Sequence, residues 1–177
     1  MSYNFQNLQV LLVEDNKPML NLIKTVLLSF GVGNVITSLN GEDGFREFCL
    51  FNPDLVITDW MMSPGNGLEL THSIRNHPKS PNKFAPIILM TGFSEKRRVL
   101  NARDKGITEF IVKPFNARDL YRRMHKIIES PRDFVEAPEY FGPDRRRKRK
   151  DEYTGENRRI TDKDKVSQIN ITEIDLI

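Results

Sequence analysis

The order of apolar and polar positions predicts alternating strands and helices over the first 130 residues. Five apolar runs are short and nearly continuous, which is typical of strands buried on both faces of a parallel sheet. They lie at Leu8–Val13, Val35–Ser38, Leu55–Asp59, Pro86–Thr91 and Glu109–Val112. The stretches between them repeat apolar residues at helical spacing. The pattern therefore predicts an α/β fold with strands and helices in alternation.

Cap and stop residues predict where the five helices lie. Asn16 or Asp15 caps the first, Pro18 falls in its first turn, and Gly31 ends it. The next three lie at 41–51, 67–77 and 94–105, and the last begins at the cap Asn116, with Asp119 three residues on. Five strands and five helices predict a parallel sheet covered on both faces.

Polar residues follow four of the predicted strands, at the point where each ends. They are Glu14, Asp15, Asp59, Thr91 and Lys113. The carboxyl ends of parallel strands form the ligand-binding edge of an open α/β sheet, so these side chains are expected to converge. Three carboxylates in one pocket repel each other unless a divalent cation holds them ionised, and Mg²⁺ prefers such oxygen ligands.

The remaining groups suit a phosphoryl group. With Mg²⁺ bound, Asp59 can act as a carboxylate nucleophile and form an acyl phosphate. Lys113 can neutralise phosphoryl oxygens, and the Thr91 hydroxyl can donate a hydrogen bond to another. The sequence thus predicts a site for Mg²⁺ and a phosphoryl group.

In order and spacing these residues resemble the receiver domain of two-component response regulators, over about Gln6 to Ser130. The pair Lys113-Pro114 and the aromatic Phe110 three residues before the lysine also match. The resemblance implies a flavodoxin-like doubly wound sheet of strand order 2-1-3-4-5. It also implies that Asp59 accepts its phosphoryl group from a sensor histidine kinase or a histidine phosphotransfer protein.

The resemblance implies further roles. The Met61 backbone carbonyl would complete the Mg²⁺ shell, and Glu14 stands where aspartate is commoner. Thr91 would move toward the phosphoryl group while Phe110 turns inward, which reshapes the face of the fourth helix, fifth strand and fifth helix for a downstream protein. The Lys113–Pro114 bond is expected to be cis.

Composition narrows the class of protein. The chain has 177 residues, of which 38% are hydrophobic and 29% charged. No apolar stretch approaches the roughly 20 residues of a membrane span, and the N-terminus lacks the pattern of a signal peptide. Cys49 is the only cysteine, which excludes an intramolecular disulfide. A cytoplasmic location is expected.

Pro131 is the predicted end of the receiver domain, residues 1–130. Residues 131–177 form a charged tail that we expect to be mostly extended or disordered. The tail contains six consecutive positive residues: Arg145, Arg146, Arg147, Lys148, Arg149 and Lys150. It also repeats Tyr-x-Gly-x-x-Arg-Arg, at Tyr140 and Tyr153. The basic run is a solvated segment, a contact for an acidic protein surface, or a nucleic-acid contact; the sequence leaves these open.

The leading interpretation is a phosphorylation-dependent response regulator that signals through protein contacts and is not an enzyme beyond slow self-dephosphorylation. One alternative is a nucleic-acid-binding regulator that uses the basic tail. The other is an aspartyl-phosphate phosphohydrolase. Dehalogenase-like phosphatases place a second aspartate two residues after the nucleophile, and Met61 occupies that position. The oligomeric state, including a phosphorylation-dependent dimer, stays open.

Overall fold

The computed structural model describes residues 5–92, 105–137 and 140–144, together with the backbone of Lys165–Val166. Its elements, in chain order, are β1 (Gln9–Val13), α1 (Lys17–Ser29), β2 (Asn34–Ser38), α2 (Gly41–Phe51), β3 (Leu55–Asp59), α3 (Gly67–Asn76), β4 (Ile87–Thr91), β5 (Glu109–Val112), α4 (Ala117–Glu129), β6 (Phe134–Ala137), β7 (Tyr140–Pro143) and β8 (Lys165–Val166). Among the predicted elements within these ranges, the bounds agree to about one residue. The predicted helix at 94–105 falls outside the described residues except for Lys105.

Strands β1 to β5 form a parallel sheet of order β2-β1-β3-β4-β5, which confirms the predicted fold class. The register aligns the strand ends: Val13 pairs with Thr58, Asp59 with Met90, and Thr91 with Val112. We call this carboxyl-terminal edge of the sheet the top and the opposite edge the base. The residues that follow β1, β3, β4 and β5 therefore meet at the top.

Alternate strand residues bury against opposite helical layers. Leu12 and Ile57 belong to the core shared with α1 and α4, whereas Leu11 and Val56 belong to the core shared with α2 and α3. All four are fully buried. Each such side chain contributes on the order of 1.5–3 kcal/mol of transfer free energy, so the sheet is a rigid support for the residues at its ends.

Local sequence explains the helix ends. The side chain of Asn16 accepts the Met19 amide at the start of α1. Asn116 and Asp119 form the predicted reciprocal capping box at the start of α4. No helix in the described ranges is both long enough and apolar enough to cross a bilayer.

Two adjacent residues of α2 differ in burial. Phe48 is fully buried, whereas Cys49 is half-exposed. Its Sγ lies 3.5 Å from the Lys79 carbonyl oxygen, at the margin of α2. Adjacent helical residues point about 100° apart, so Phe48 and Cys49 do not share the core-facing side equally.

The start of the tail, for which the sequence predicts extended or disordered chain, instead forms a β-hairpin. Strands β6 and β7 pair antiparallel, and β8 pairs with the other edge of β6. The rings of Phe134 and Phe141 pack against each other and against Phe84, at centroid distances of 5.2–5.6 Å. The packed region therefore extends beyond Pro131, because these aromatic side chains cover the base of the sheet. We call β6 and β7 the C-terminal hairpin.

Candidate functional site

Three carboxylates meet at the top of the sheet, as predicted. Glu14 and Asp15 follow β1, and Asp59 closes β3. One carboxylate oxygen from each lies within 4.8 Å of the other two. Glu14 and Asp59 are buried, with 2% and 7% of their surface exposed, whereas Asp15 is exposed. The acidic site, meaning these three residues, is thus open to solvent on the Asp15 side.

Lys113 reaches into the acidic site from the end of β5. Its Nζ donates to Glu14 Oε2 and forms an ion pair with Asp59 Oδ1, each at 2.7 Å. The Lys113 amide donates to the Thr91 carbonyl oxygen at 2.7 Å, which holds the lysine beside the end of β4. The Lys113–Pro114 peptide is cis, as expected from the resemblance.

The loop after β3 fixes the orientation of the Asp59 carboxylate. The Met61 amide donates to Asp59 Oδ2 at 3.0 Å, while the Met61 side chain is 62% exposed. Helix α3 begins directly against the strand end, and a Cβ atom on Gly67 would lie 2.1 Å from the Asp59 carbonyl oxygen. Only glycine permits this approach. Both Asp59 oxygens therefore have a defined neighbour, Lys113 on one side and Met61 on the other.

The charges at this site do not balance. Burial raises the pKa of Glu14, although its hydrogen bond to Lys113 acts in the opposite direction. Burial also opposes the charge of Lys113, but hydrogen bonds to Asp59 and Glu14 outweigh this effect and raise the lysine pKa. Among the described residues, three carboxylates against one ammonium leave an excess of two negative charges when all are ionised.

A divalent cation fits this arrangement. The donors are hard carboxylate oxygens, their excess charge equals that of one divalent ion, and the exposed side leaves room for bound water. Glu14, Asp15 and Asp59 are the residues that would hold Mg²⁺. The Met61 backbone lies beside them, because its amide contacts Asp59.

The other predicted site residues lie near the acidic site to different degrees. Thr91 is buried at the end of β4. Phe110 is half-buried against the core of α2 and α3, and its β-sheet partner is Leu89, two residues before Thr91. The guanidinium carbon of Arg123 lies 5.9 Å from the Phe110 ring centroid. The six basic residues of the tail, 145–150, lie outside the described residues.

The base of the sheet contains a buried charge cluster that the sequence does not predict. The Glu109 carboxylate is only 3% exposed. It accepts from Arg123 at 3.0 Å, Lys126 at 2.6 Å and Arg132 at 3.1 Å. A charged residue inside the predicted strand at 109–112 was the available signal, but its partners lie 14 to 23 residues away.

Arg75, at the carboxyl end of α3, is the second buried charge at the base. It donates from Nε and Nη2 to the Gly106 carbonyl oxygen and from Nη1 to those of Lys83 and Ala85, at 2.7–3.1 Å. The Phe134 ring of the C-terminal hairpin lies 5.1 Å from its guanidinium carbon. Burial lowers the pKa of Arg75 to about 9, so the side chain is still charged at neutral pH.

Two chemotaxis proteins are similar in sequence to this chain. The chemotaxis protein CheY-3 of Vibrio cholerae is 28% identical over 127 residues, which cover 70% of this chain and 94% of that protein. The chemotaxis protein CheY of Pseudomonas aeruginosa is 27% identical over 122 residues, covering 69% and 97%.

Solved structures of response regulators and receiver domains are similar to this chain in fold. The receiver domain of a sensor histidine kinase from Pseudomonas aeruginosa, solved with a magnesium ion coordinated in its active site cleft, is 26% identical. It superposes with a TM-score of 0.61 over 70% of this chain and 98% of that domain. The chemotaxis response regulator CheY4 of Vibrio cholerae, at 24% identity and a TM-score of 0.62, shares the fold over 68% of this chain and 98% of its own.

The model of one protein family covers most of the parallel-sheet region. It is that of the response regulator receiver domain, and it matches residues 10–125, well over half of the chain. This match includes the whole parallel sheet apart from Gln9, the first residue of β1. It also includes the acidic site and Lys113. The chain therefore belongs to the response regulator receiver domain family.

Proposed function

We propose that this protein is a phosphorylation-dependent response regulator of a two-component phosphorelay. Asp59 accepts a phosphoryl group from a phosphohistidine donor, and Glu14, Asp15 and Asp59 hold the Mg²⁺ that the transfer requires. The observation that carries the proposal is the convergence of these three carboxylates with Lys113, whose Nζ lies 2.7 Å from two of them.

The fixed orientation of Asp59 supports this reaction. Lys113 contacts Oδ1 and the Met61 amide contacts Oδ2, so the carboxylate plane is set before a donor arrives. An Asp59 oxygen attacks phosphorus, the phosphorus–nitrogen bond of the donor breaks with its electron pair on nitrogen, and the leaving imidazole takes a proton from solvent. Lys113 then donates to the oxygens of the aspartyl phosphate. Mg²⁺, when bound, neutralises charge on the phosphoryl group.

The protein stores the phosphoryl group and does not turn over rapidly as a hydrolase. Fast hydrolysis needs a group that activates water near the aspartyl phosphate. The position two residues after Asp59 carries Met61, whose exposed thioether cannot take a proton. We expect only slow self-dephosphorylation.

A protein donor has a surface to bind next to the acidic site. An apolar groove of about 250 Å³ lies between α1 and the segment that leads into α4. It is lined by Met19, Leu22, Ile23 and Val26 on α1 and by residues 113–117 and Leu120. Lys113 lines the groove and also contacts Asp59, so the groove opens beside the acceptor. A helix of the donor protein fits such a groove, and Leu22, 60% exposed, is its most accessible anchor.

The output is proposed to pass through Thr91 and Phe110 to a downstream protein. Thr91 lies on β4 and Phe110 on β5, the two strands nearest Lys113. A phosphoryl group on Asp59 can therefore change the positions of both side chains. The nucleic-acid alternative depends on residues 145–159, which lie outside the described residues, and it stays a prediction.

The experiment that tests the proposal is phosphorylation of the Asp59→Asn variant by a small phosphodonor, such as acetyl phosphate, with Mg²⁺. We expect the wild type to incorporate one phosphoryl group that base and hydroxylamine release, as they do from an acyl phosphate, and Asp59→Asn to incorporate none. Asp54→Asn is the matched control, because Asp54 accepts the Gln9 amide at the base and lies away from the acidic site. Equal labelling of wild type and Asp59→Asn would refute the assignment.

A further inference from the structure

The C-terminal hairpin is fastened to the charge cluster at the base. Arg132, which leads into β6, donates from Nη2 to Glu109 Oε1 at 3.1 Å. The Asp144 amide, just after β7, donates to the Asp133 carbonyl oxygen at 2.7 Å, which closes the hairpin next to Arg132. Phe134 follows two residues later and is buried with 2% exposure. The position of Arg132 is therefore set by the docking of the hairpin.

Glu109 divides its two oxygens between different partners. Oε1 accepts from Lys126 and Arg132, and Oε2 accepts from Arg123. Two cations on Oε1 fix the plane of the carboxylate, and this plane determines where Oε2 points. Arg123 is thereby held in one place, although its side chain is 35% exposed and would otherwise sample many rotamers.

Arg123 is held beside the Phe110 ring. Its guanidinium carbon lies 5.9 Å from the ring centroid, within the distance at which a cation is attracted to an aromatic ring. The contact stabilises the half-buried ring position that the structure shows. A turn of Phe110 toward the sheet interior would lose it.

We propose that the C-terminal hairpin opposes the inward turn of the Phe110 ring, acting through Arg132, Glu109 and Arg123. The proposal rests on the function given above, in which Phe110 turns inward when Asp59 is phosphorylated. Arg123 is a positioning residue for Phe110, and the hairpin positions Arg123. Release of the hairpin favours the inward ring and therefore strengthens binding of the phosphoryl group at the acidic site, by reciprocal linkage.

The test is a titration with beryllium fluoride, a phosphoryl analogue, at saturating Mg²⁺. Trp60 is the single tryptophan of the chain and adjoins Asp59, so its fluorescence reports binding. We expect Arg132→Ala and Arg123→Ala each to bind the analogue about two- to five-fold more tightly, the scale of one partly exposed cation–ring contact. Arg132→Lys keeps a cation at this position and is expected to bind the analogue with nearly the same affinity as the wild type.

Arg122→Ala is the matched control. Arg122 lies on the same helix with a side chain that is 68% exposed, and its ion pair with Asp119 spans 3.8 Å. We expect no change in affinity from this variant. The double variant Arg132→Ala/Arg123→Ala should bind no more tightly than Arg123→Ala alone, because both changes interrupt one chain of contacts.

Three outcomes would overturn the inference. An Arg132→Ala affinity equal to that of the wild type removes the link from hairpin to site. Full additivity in the double variant shows that the two arginines act separately. A wild type that binds no analogue overturns the proposed function and this inference with it. Urea unfolding of each variant, with the free energy of unfolding compared with that of the wild type, shows whether the variants are folded. If Arg132→Ala is unstable, Arg123→Ala tests the contact with Phe110 by itself, and an affinity equal to that of the wild type then overturns the inference.

Discussion

The two edges of the parallel sheet both bury charged side chains, but they balance those charges differently. At the top, three carboxylates face one ammonium group, and the excess is two negative charges. At the base, the Arg75 guanidinium is bonded to three carbonyl oxygens and covered by Phe134. Glu109 accepts from three cations, whose side chains are 19–45% exposed, so solvent screens the positive charge around this one buried carboxylate.

This difference separates a ligand site from a structural contact. A buried charge whose hydrogen bonds are satisfied stabilises the local fold, provided that no partner is removed. A cluster with uncompensated charge of one sign destabilises the fold until a counter-ion binds. The base therefore holds the chain together, whereas the charge at the top is consistent with the proposed binding of a cation and a phosphoryl group.

Arg75→Leu is expected to produce the largest loss of stability and would test the structural assignment of the base. The change leaves the carbonyl oxygens of Gly106, Lys83 and Ala85 without their donor. Each buried unsatisfied group costs on the order of 1–3 kcal/mol, so the free energy of unfolding should fall by about 3 kcal/mol or more. Urea denaturation measures it.

Arg46→Ala is the control for that prediction. Arg46 forms an ion pair with Asp43 on the surface of α2, and its side chain is 75% exposed. Exposed pairs contribute little, so its removal should change the free energy of unfolding by less than about 1 kcal/mol. Similar losses for the two variants would contradict the structural assignment of the base.

Glu14→Gln is expected to have the opposite effect at the top. Because burial raises the pKa of Glu14, the folded protein binds the carboxyl proton more tightly than the unfolded chain does. The wild type therefore loses stability as pH rises from the ordinary glutamate pKa through the raised value. Glutamine has no such titration, so without Mg²⁺ the variant should be more stable at neutral pH, by about 0.5–1 kcal/mol.

Mg²⁺ binding provides a further test of the Glu14→Gln variant. Mg²⁺ should stabilise the wild type more than Glu14→Gln, with binding to the variant weaker by roughly ten-fold or more. Thermal unfolding across pH 4–8, with and without Mg²⁺, measures both effects. A variant that is less stable than the wild type at neutral pH without Mg²⁺ would show that the Glu14 charge is already balanced.

Leu22→Glu is expected to change stability least, by no more than about 0.5 kcal/mol, because Leu22 is exposed. It should slow phosphotransfer from a protein donor by roughly ten-fold, the scale of one anchoring residue. Phosphorylation by acetyl phosphate should be unaffected. Leu50→Glu is the control, since Leu50 is 72% exposed on α2 and does not line the groove. Equal slowing by both variants would place the donor elsewhere.

Much of the top could be predicted from local sequence. An apolar run followed by a carboxylate identifies both the strand and the residue at its end, as at Leu55–Asp59. The cap Asn116 with Asp119 identifies the start of α4 in the same way. Parallel strands then bring their ends together by geometry alone, which explains why Glu14, Asp15, Asp59 and Lys113 converge as expected.

The base could not be predicted in this way. The strands of the C-terminal hairpin have four residues each, one contains proline, and their surroundings are polar. They form because Phe134 and Phe141 pack against Phe84. This contact joins residues that are about fifty positions apart, so no local pattern predicts it. The burial of Arg75 depends on the same contact, because Phe134 covers it.

The strands, the helix starts and the acidic residues at the strand ends follow from local sequence, because each depends on neighbours a few positions away. Long-range packing, by contrast, brings Glu109 to its partners Arg123, Lys126 and Arg132 and places Arg123 beside Phe110. These contacts depend on which helix packs on which strand and on the path of the chain after α4. Their energies come from burial and charge pairing between distant segments, which become defined once the chain is folded.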